Sequence, residues 1–240
     1  IEDQDQPDYI EKYMNRTGQA RWQTFGYVSD GLFKDEADIA TSPDQSALGE
    51  VRPGDIRYKD LNNDGVIDSK DVKAIGYTDV PEIVYGFGVS AQWKGFDVSV
   101  FFQGNNHVSF SINSSMVRGF TEPKMAANNV FSDIYGNYWT ESNTDAKYPR
   151  LTTTEATNNN QSSDFWLVNG RYLRLKNAEF GYTFPKKLIQ KIRLSQLRIF
   201  VSGTNLLTFA PFKLWDPDLQ TGASNYPNTR VANIGLNIGF

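Results

Sequence analysis

The last ten residues of the chain constrain its fold more than any other segment. From Val231 to Phe240, apolar side chains occupy alternate positions at Ile234, Leu236 and Ile238, with glycine or asparagine between them. This period of two is typical of a β-strand that has one apolar face. Because the other face is small and polar, we expect the strand to separate an apolar environment from a wet one.

The same alternation predicts a β-hairpin upstream. Apolar side chains recur at every second position over 83–93 and again over 96–102, with Lys94-Gly95 between the two runs. A two-residue connection of this kind indicates a tight hairpin turn. Trp93 and Phe96 flank the turn, at the level where a girdle of aromatic residues lies in membrane barrels.

A second hairpin is predicted from 171–184 and 196–207, because both runs alternate and Pro185 ends the first of them. The segment KKLIQKI after Pro185 indicates a short helical turn. A weaker strand is predicted near Trp22–Phe33, and about seven or eight strands are expected in all. The remaining connections are long and polar, over 34–80, 113–169 and 208–228.

Short turns at one end of the strands and long loops at the other are typical of outer-membrane barrels. Aromatic residues make up 14% of the chain, and such side chains fit a pleated surface. No apolar run approaches ~18 residues, so no transmembrane helix is expected, whereas a barrel strand needs only ~9–11 residues. The predicted fold class is all-β, a transmembrane antiparallel β-barrel, with residues 1–240 forming the C-terminal part of one barrel domain.

Charge and residue usage argue against several functions. Lys and Arg total 24 against 28 Asp and Glu, without a basic run, so no nucleic-acid partner is expected. The lack of cysteine excludes disulfides and thiolate metal sites. His107 is the single histidine and lies near Ser109 and Ser111, but no serine motif or orienting third residue accompanies it. We therefore expect that the protein is not an enzyme.

One motif, at residues 60–71, carries specific chemistry. It has glycine at the sixth position for a sharp turn, and its spacing of oxygen donors matches the calcium loop of EF-hand type. Calcium is a hard ion that takes ~6–8 oxygen ligands. The expected ligands, of which Val66 contributes its backbone carbonyl, are Asp60, Asn62, Asp64, Val66, Asp68 and Asp71.

The predicted role of this EF-hand-like loop is structural, with Ca²⁺ or a similar hard divalent cation bracing it. Asp55 to Tyr58 indicates extended backbone, so the helix that enters a signalling EF-hand is missing. The twelfth position holds Asp71, which is shorter than the usual glutamate. The alternative is a turn rich in Asp and Asn that binds no ion, because these residues favour turns anyway.

Several separate blocks resemble the C-terminal region of SusC/RagA-type TonB-linked outer-membrane proteins. They appear in the family's order and spacing over nearly the whole chain from about Gln19, and YVSDGLF near 27–33 is similar as well. The blocks are PGDIRYKDLNNDGVID, YGFGVSAQWKGFDVSVFFQG, NYWTESNTDAKYPRL, FWLVNGRYLRLKNAEFGYTFPKKL, LRIFVSGTNLLTF and NIGLNIGF.

This resemblance implies a barrel of about 22 strands in the outer membrane of a Gram-negative cell. It implies an N-terminal plug, energy coupling through TonB and a SusD-like surface lipoprotein as partner. The implied function is import of glycan oligomers or peptides. The plug, the TonB contact and the remaining strands are expected outside this chain, which opens on a polar stretch without a signal sequence; we interpret it as a fragment.

The main alternative is a soluble extracellular β-sandwich that binds carbohydrate and holds a structural calcium. It shares the alternating strands but turns their apolar faces inward to a core. Some loop aromatic residues have the chemistry to stack on sugars, but loop packing is the favoured interpretation. They are Trp139, Tyr148, Trp166 and Trp215.

Overall fold

A computed structural model gives the fold of residues 11–118, 120, 130–222 and 224–240. Strands dominate. In chain order they are β1 Phe25–Tyr27, β2 Ser29–Leu32, β3 Ile56–Tyr58, β4 Val72–Ala74, β5 Ile83–Trp93, β6 Phe96–Asn106, β7 Ser109–Ser111, β8 Leu167–Asn169, β9 Tyr172–Thr183, β10 Gln196–Phe209 and β11 Val231–Gly239. The α-helices are short: α1 Glu36–Thr41, α2 Ser115–Arg118 and α3 Lys186–Ile189. Within the described ranges, none is both long and apolar enough to cross a bilayer.

The chain divides into two compact units. The first, called the sheet unit, comprises Val80–Val108 and Asn169–Phe240. The second, called the loop unit, comprises the other described residues. The predicted hairpins therefore belong to the sheet unit, and two of the three long polar connections belong mainly to the loop unit.

The sheet unit is a single antiparallel sheet in the order β11-β10-β9-β6-β5. Its two hairpins are those predicted from alternation: β5 pairs with β6, and β9 pairs with β10. In the first turn, Lys94 and Gly95 have φ angles of 48° and 90°, the left-handed conformations that match the twist of a hairpin. A Cβ on Gly95 would lie 2.7 Å from the carbonyl oxygen of Thr183, so the neighbouring strand also requires glycine there.

One face of this sheet is apolar and exposed. The strand register aligns Val98, Phe180, Val201 and Ile234 in one row across four strands. Their exposed fractions are 41%, 50%, 47% and 85%. Since the apolar row is turned away from any core, the sandwich alternative is not favoured for this sheet.

The loop unit buries its apolar side chains in a core of its own. It is held by three two-stranded sheets, β1 with β4, β2 with β3, and β7 with β8. The largest buried apolar side chains are at most 2% exposed and include Phe33, Ile56, Tyr58, Ile67, Phe110 and Trp166. The long polar connections therefore contain a packed fold that their composition did not indicate.

Buried amides join distant parts of the loop unit. The side chain of Asn158 is fully buried and donates to the Ile56 carbonyl at 2.8 Å. Gln45 donates to Asn158 Oδ1 at 2.9 Å, and the Tyr58 hydroxyl donates to the Asn158 carbonyl at 2.9 Å. Burial raises the pKa of Tyr58. Two of these side-chain hydrogen bonds pair buried backbone groups that regular secondary structure would otherwise pair.

The N-terminal strand predicted near Trp22–Phe33 is two short strands, β1 and β2. Val28 separates them, and its carbonyl accepts from the Lys59 amide at 2.9 Å. The two strands have different partners, since β1 pairs with β4 and β2 pairs with β3. The local pattern of apolar residues does not reveal that neighbouring strands pair with different partners, so the division into two strands was not predicted.

Candidate functional site

The predicted calcium loop begins with a carboxylate that fastens its first turn. Asp60 accepts from the Asn63 amide at 2.6 Å through Oδ1 and from the Gly65 amide at 2.7 Å through Oδ2. Asn63 and Gly65 both have positive φ angles, 61° and 85°. The glycine expected at the sixth position therefore lies in the conformation that glycine favours.

The other end of the loop is fastened by Asp71, which is fully buried. Its Oδ1 accepts from the Leu61 amide at 2.7 Å and its Oδ2 from the Asp68 amide at 2.9 Å. A buried carboxylate needs such partners, because desolvation of an unpaired charge is costly. Asp71 thus holds the two ends of the loop together.

The middle of the loop is anchored to the core of the loop unit. Ile67 is completely buried, and its amide donates to the Asp44 carbonyl at 2.8 Å. The Asp44 amide in turn donates to the Gly65 carbonyl at 2.9 Å. Val66, between them, is 38% exposed. The aliphatic residue at the eighth position therefore secures the loop and leaves Asp64 and Val66 exposed on its outer side, whereas Asp71 is buried.

The outer carboxylates lie beside a cation of the chain itself. The Lys70 ammonium is 3.7 Å from Asp64 Oδ2 and 3.8 Å from Asp68 Oδ2. The amide of Asn62 donates to Asp64 at 2.8 Å. This hydrogen bond is the main reason why the pKa of Asp64 is lowered, and the Val66 amide and Lys70 add to it. These contacts therefore favour the ionised form of Asp64, which is the form that binds a cation.

All of the predicted ligands in this loop are oxygen donors, and such a ligand set fits a hard cation such as Ca²⁺. The six predicted ligands lie in one turn, but Asp60 and Asp71 are engaged by backbone amides, and Asp64 and Asp68 lie near Lys70. Among the described residues, no three acidic or histidine side chains converge closely enough to hold a metal ion.

The polar face of the sheet carries an ion cluster that the sequence pattern did not reveal. Arg198 on β10 pairs with Asp97 on β6 and with Glu179 on β9. Its Nε lies 3.1 Å from Asp97 Oδ1, and its Nη2 lies 2.6 Å from Glu179 Oε1. Alternation placed Asp97 on the polar face, but its arginine lies 101 residues further along the chain.

Two glycines make room for this cluster. A Cβ on Gly181 would lie 2.5 Å from the Arg198 guanidinium, and a Cβ on Gly235 would lie 2.1 Å from the Phe200 ring. Phe200 in turn lies under Arg198, with 4.8 Å from the guanidinium carbon to the ring centroid. The small residues of the polar face therefore accommodate larger neighbours on adjacent strands.

Comparisons with known proteins find relatives that share one description, that of a TonB-dependent receptor. No protein-family model matches the chain. TonB-dependent receptor P3 of Formosa agariphila is 30% identical over 94% of this chain and 23% of its own length. TonB-dependent receptor SusC of Bacteroides thetaiotaomicron is 26% identical over 79% of this chain and 18% of its own length.

Solved structures agree on the fold. The RagAB peptide importer in its open-open state matches with a TM-score of 0.65 and 22% identity, over 91% of this chain and 22% of the solved chain. The chain corresponds to the C-terminal region of a SusC/RagA-type TonB-linked outer-membrane protein. It spans between 18% and 26% of the length of the curated relatives that it matches.

The SusC/RagA-type fold assigns an environment to each face of the sheet. In a transmembrane barrel, the apolar face contacts lipid and the polar face lines the lumen. The exposed row from Val98 to Ile234 is therefore lipid-facing, and the Arg198 cluster is lumenal. The short turns at Lys94-Gly95 and 184–195 mark the periplasmic end, since outer-membrane barrels carry their long loops outside.

The loop aromatic residues of this SusC/RagA-type chain pack within its own fold. Trp166 and Tyr148 are 2% and 4% exposed. The indole of Trp166 donates to the Asn159 carbonyl, and that of Trp215 donates to the Gln220 carbonyl, both at 2.7 Å. A Cβ on Gly54 would lie 2.6 Å from the Trp139 ring. These contacts agree with the loop-packing interpretation.

Proposed function

We propose that the protein containing this chain is a TonB-dependent outer-membrane importer of glycan oligomers or peptides. The observation that carries the proposal is the exposed apolar face, in a chain whose relatives are TonB-dependent receptors. A sheet with such a face needs lipid on that side, and its polar side then lines a passage. The RagAB match, a peptide importer, supports the same class of activity.

The proposed partners are a SusD-like surface lipoprotein, TonB, and the plug with the remaining barrel strands. Residues 1–240 would form part of one barrel domain, since the second segment of the loop unit, residues 109–168, connects β6 to β9 of the sheet unit. The role of the chain is architectural and transporting, and we propose no catalytic step for it.

Deletion of the parent gene tests this function. The deletion strain should lose uptake of at least one oligomer from a panel of glycans and peptides, and a strain without TonB should lose the same uptake. Affinity purification of the tagged protein from the outer membrane should recover a surface lipoprotein, identified by mass spectrometry. Unchanged uptake of the whole panel in the deletion strain contradicts the proposal.

We also propose that the loop at 60–71 binds Ca²⁺ as a structural brace. Asp60, Asn62, Asp64, Asp68 and Asp71 would supply side-chain oxygens and Val66 its carbonyl. The spacing, the positive φ of Gly65 and the ionised state of Asp64 support this proposal. Lys70 would have to give way, because its ammonium lies beside two of the carboxylates.

Binding of Ca²⁺ to the purified full-length protein, followed by calorimetry and by protease resistance of the outer loops, tests the brace. Asp60→Ala with Asp64→Ala should abolish both signals. The control Glu141→Ala with Asp145→Ala also removes two exposed carboxylates and should change neither. Lys70→Gln should strengthen binding, because it removes the competing charge. Equal calcium affinity in the Asp60/Asp64 double variant and the wild type refutes the site.

A further inference from the structure

A polar cavity lies on the lumenal face of the sheet unit, at the end opposite the short turns. The segment that connects β10 to β11 folds back over Arg174 and Thr208 and borders a half-open cavity of about 330 Å³. Arg174 pairs with Gln103 and Thr208 in the strand register, and the lipid-facing Leu207 and Phe209 flank Thr208 in β10. The cavity therefore lies at the outer mouth of the lumen, and its volume is within the usual range for a ligand site.

The floor of this cavity is neutralised by the chain itself. Arg174 is 1% exposed and pairs with both Asp216 and Asp218. Its Nε donates to the Thr208 hydroxyl at 3.1 Å. A buried guanidinium held by two carboxylates is a fixed element of structure, so Arg174 and Asp216 are not available to a ligand.

The rim of the cavity has an excess of positive charge. Lys213 and Arg230 both line it, and the side chain of neither forms an ion pair or hydrogen bond with another described residue. Both carboxylates near the cavity are already bound to Arg174. Two cations without an acidic partner, facing a partly enclosed space, attract an anion more strongly than they would in open water.

Contacts within the segment hold the walls that carry these cations. The Trp215 indole donates to the Gln220 carbonyl at 2.7 Å, and Phe212 contacts Trp215 edge-on with ring centroids 4.7 Å apart. Asn228 donates to Asp218 at 2.9 Å, which ties the far part of the segment to the floor. Such preorganisation lowers the entropic cost of binding.

We propose that this cavity binds a carboxylate of the oligomer that the protein imports, with Lys213 and Arg230 as its partners. A guanidinium and an ammonium together match the geometry and charge of a carboxylate. The inference depends on the proposed import function, whose substrate class it refines. Acidic oligosaccharides and peptides both carry this group, and the choice of probe distinguishes the two sources.

The test uses the purified full-length protein in detergent and two matched pairs of probes. One pair is trigalacturonate and its methyl ester, and the other is a tripeptide mixture with free or amidated C-termini. The wild type should bind the free acid of at least one pair at least about tenfold more tightly than its uncharged counterpart, since a charge-assisted contact is lost in the latter. Which pair shows the difference identifies the source.

Variants then assign the effect to the cavity. Lys213→Gln with Arg230→Gln should lower the affinity for the free acid by about tenfold or more, and Arg230→Lys should retain much of it. The control Lys187→Gln with Lys191→Gln also removes two charges, at exposed positions in α3 and just after it, and should bind like the wild type. Normal yield in the outer membrane shows that each variant folds.

The inference is overturned if no free acid binds, if the charged and uncharged probes bind equally, or if the cavity variant matches the control variant. These results are independent of the gene-deletion experiment. A deletion strain that loses uptake of neutral oligomers, together with equal binding of the probe pairs, retains the import function and rejects the carboxylate site.

Discussion

The sheet unit and the loop unit place the same kinds of side chain in opposite locations. In the loop unit, Phe33 and Ile56 are 1% and 0% exposed. In the sheet unit, Phe87 and Val89 are 53% and 66% exposed. The difference shows that the surroundings decide where apolar side chains lie. In water they are buried in a core, whereas on the outer face of a barrel they contact lipid.

Matched phenylalanine substitutions give the largest expected effect. Phe33→Ala should destabilise the loop unit by about 3–5 kcal/mol, because it leaves a cavity in a packed core. Phe87→Ala removes the same atoms from the exposed face, where Phe87 contacts Phe102 with ring centroids 5.2 Å apart, and should cost much less. Hydrogen exchange of the full-length protein in detergent measures the loss of stability in both variants. An equal loss of stability in the two variants would contradict the assignment of Phe33 to a core and Phe87 to a lipid-facing surface.

A charge on the lipid-facing side gives the next largest effect. Val89→Arg should reduce the yield of assembled protein in the outer membrane, because an arginine at mid-bilayer costs about 2–4 kcal/mol. The control is Ser90→Arg, one residue further along β5 and on the polar face. Its arginine points to the lumen and should assemble like the wild type. If both variants assemble equally, the faces are wrongly assigned.

Acid sensitivity of the loop unit is the smallest expected effect. A hydrogen bond from Lys147, with a second from the Tyr148 hydroxyl, holds the pKa of Asp133 below its ordinary value. The stabilisation is complete above the unfolded pKa of about 3.9 and is lost as the pH falls through the lower folded pKa. Asp133, Lys147 and Tyr148 all belong to the loop unit, so this acid response reports on that unit.

Pepsin cleavage within 133–148 between pH 3 and pH 5 measures this response. The wild type should resist cleavage at pH 5 and lose resistance on acidification. Asp133→Asn should be cleaved faster at pH 5 and should vary less with pH. Glu141→Gln, at an exposed carboxylate, corrects for the activity of pepsin itself. An Asp133→Asn profile that coincides with the Glu141→Gln profile rejects the role of Asp133.

Local pattern was sufficient for the long strands and insufficient for the loop unit. Alternation over 83–102 and 231–240 predicted both the strands and the side chains that share a face, because the period of a strand is a local property. The core around Ile56 and Asn158 was not predicted, because its members are 102 residues apart and are joined by side-chain hydrogen bonds. The calcium loop was predicted in part. The spacing of its residues predicted the turn, and the binding of an ion there stays a prediction.

The sequence by itself determined the long strands, their apolar faces and the turn at Lys94-Gly95, since each depends on residues close together in the chain. It also carried the family likeness, in separate blocks along the chain. Only the tertiary structure decided that Arg198 bridges Asp97 and Glu179, and that Asp216 and Asp218 neutralise Arg174. The physical reason is that charge pairing depends on distance in space. Strand order brings together residues whose separation along the chain carries no signal.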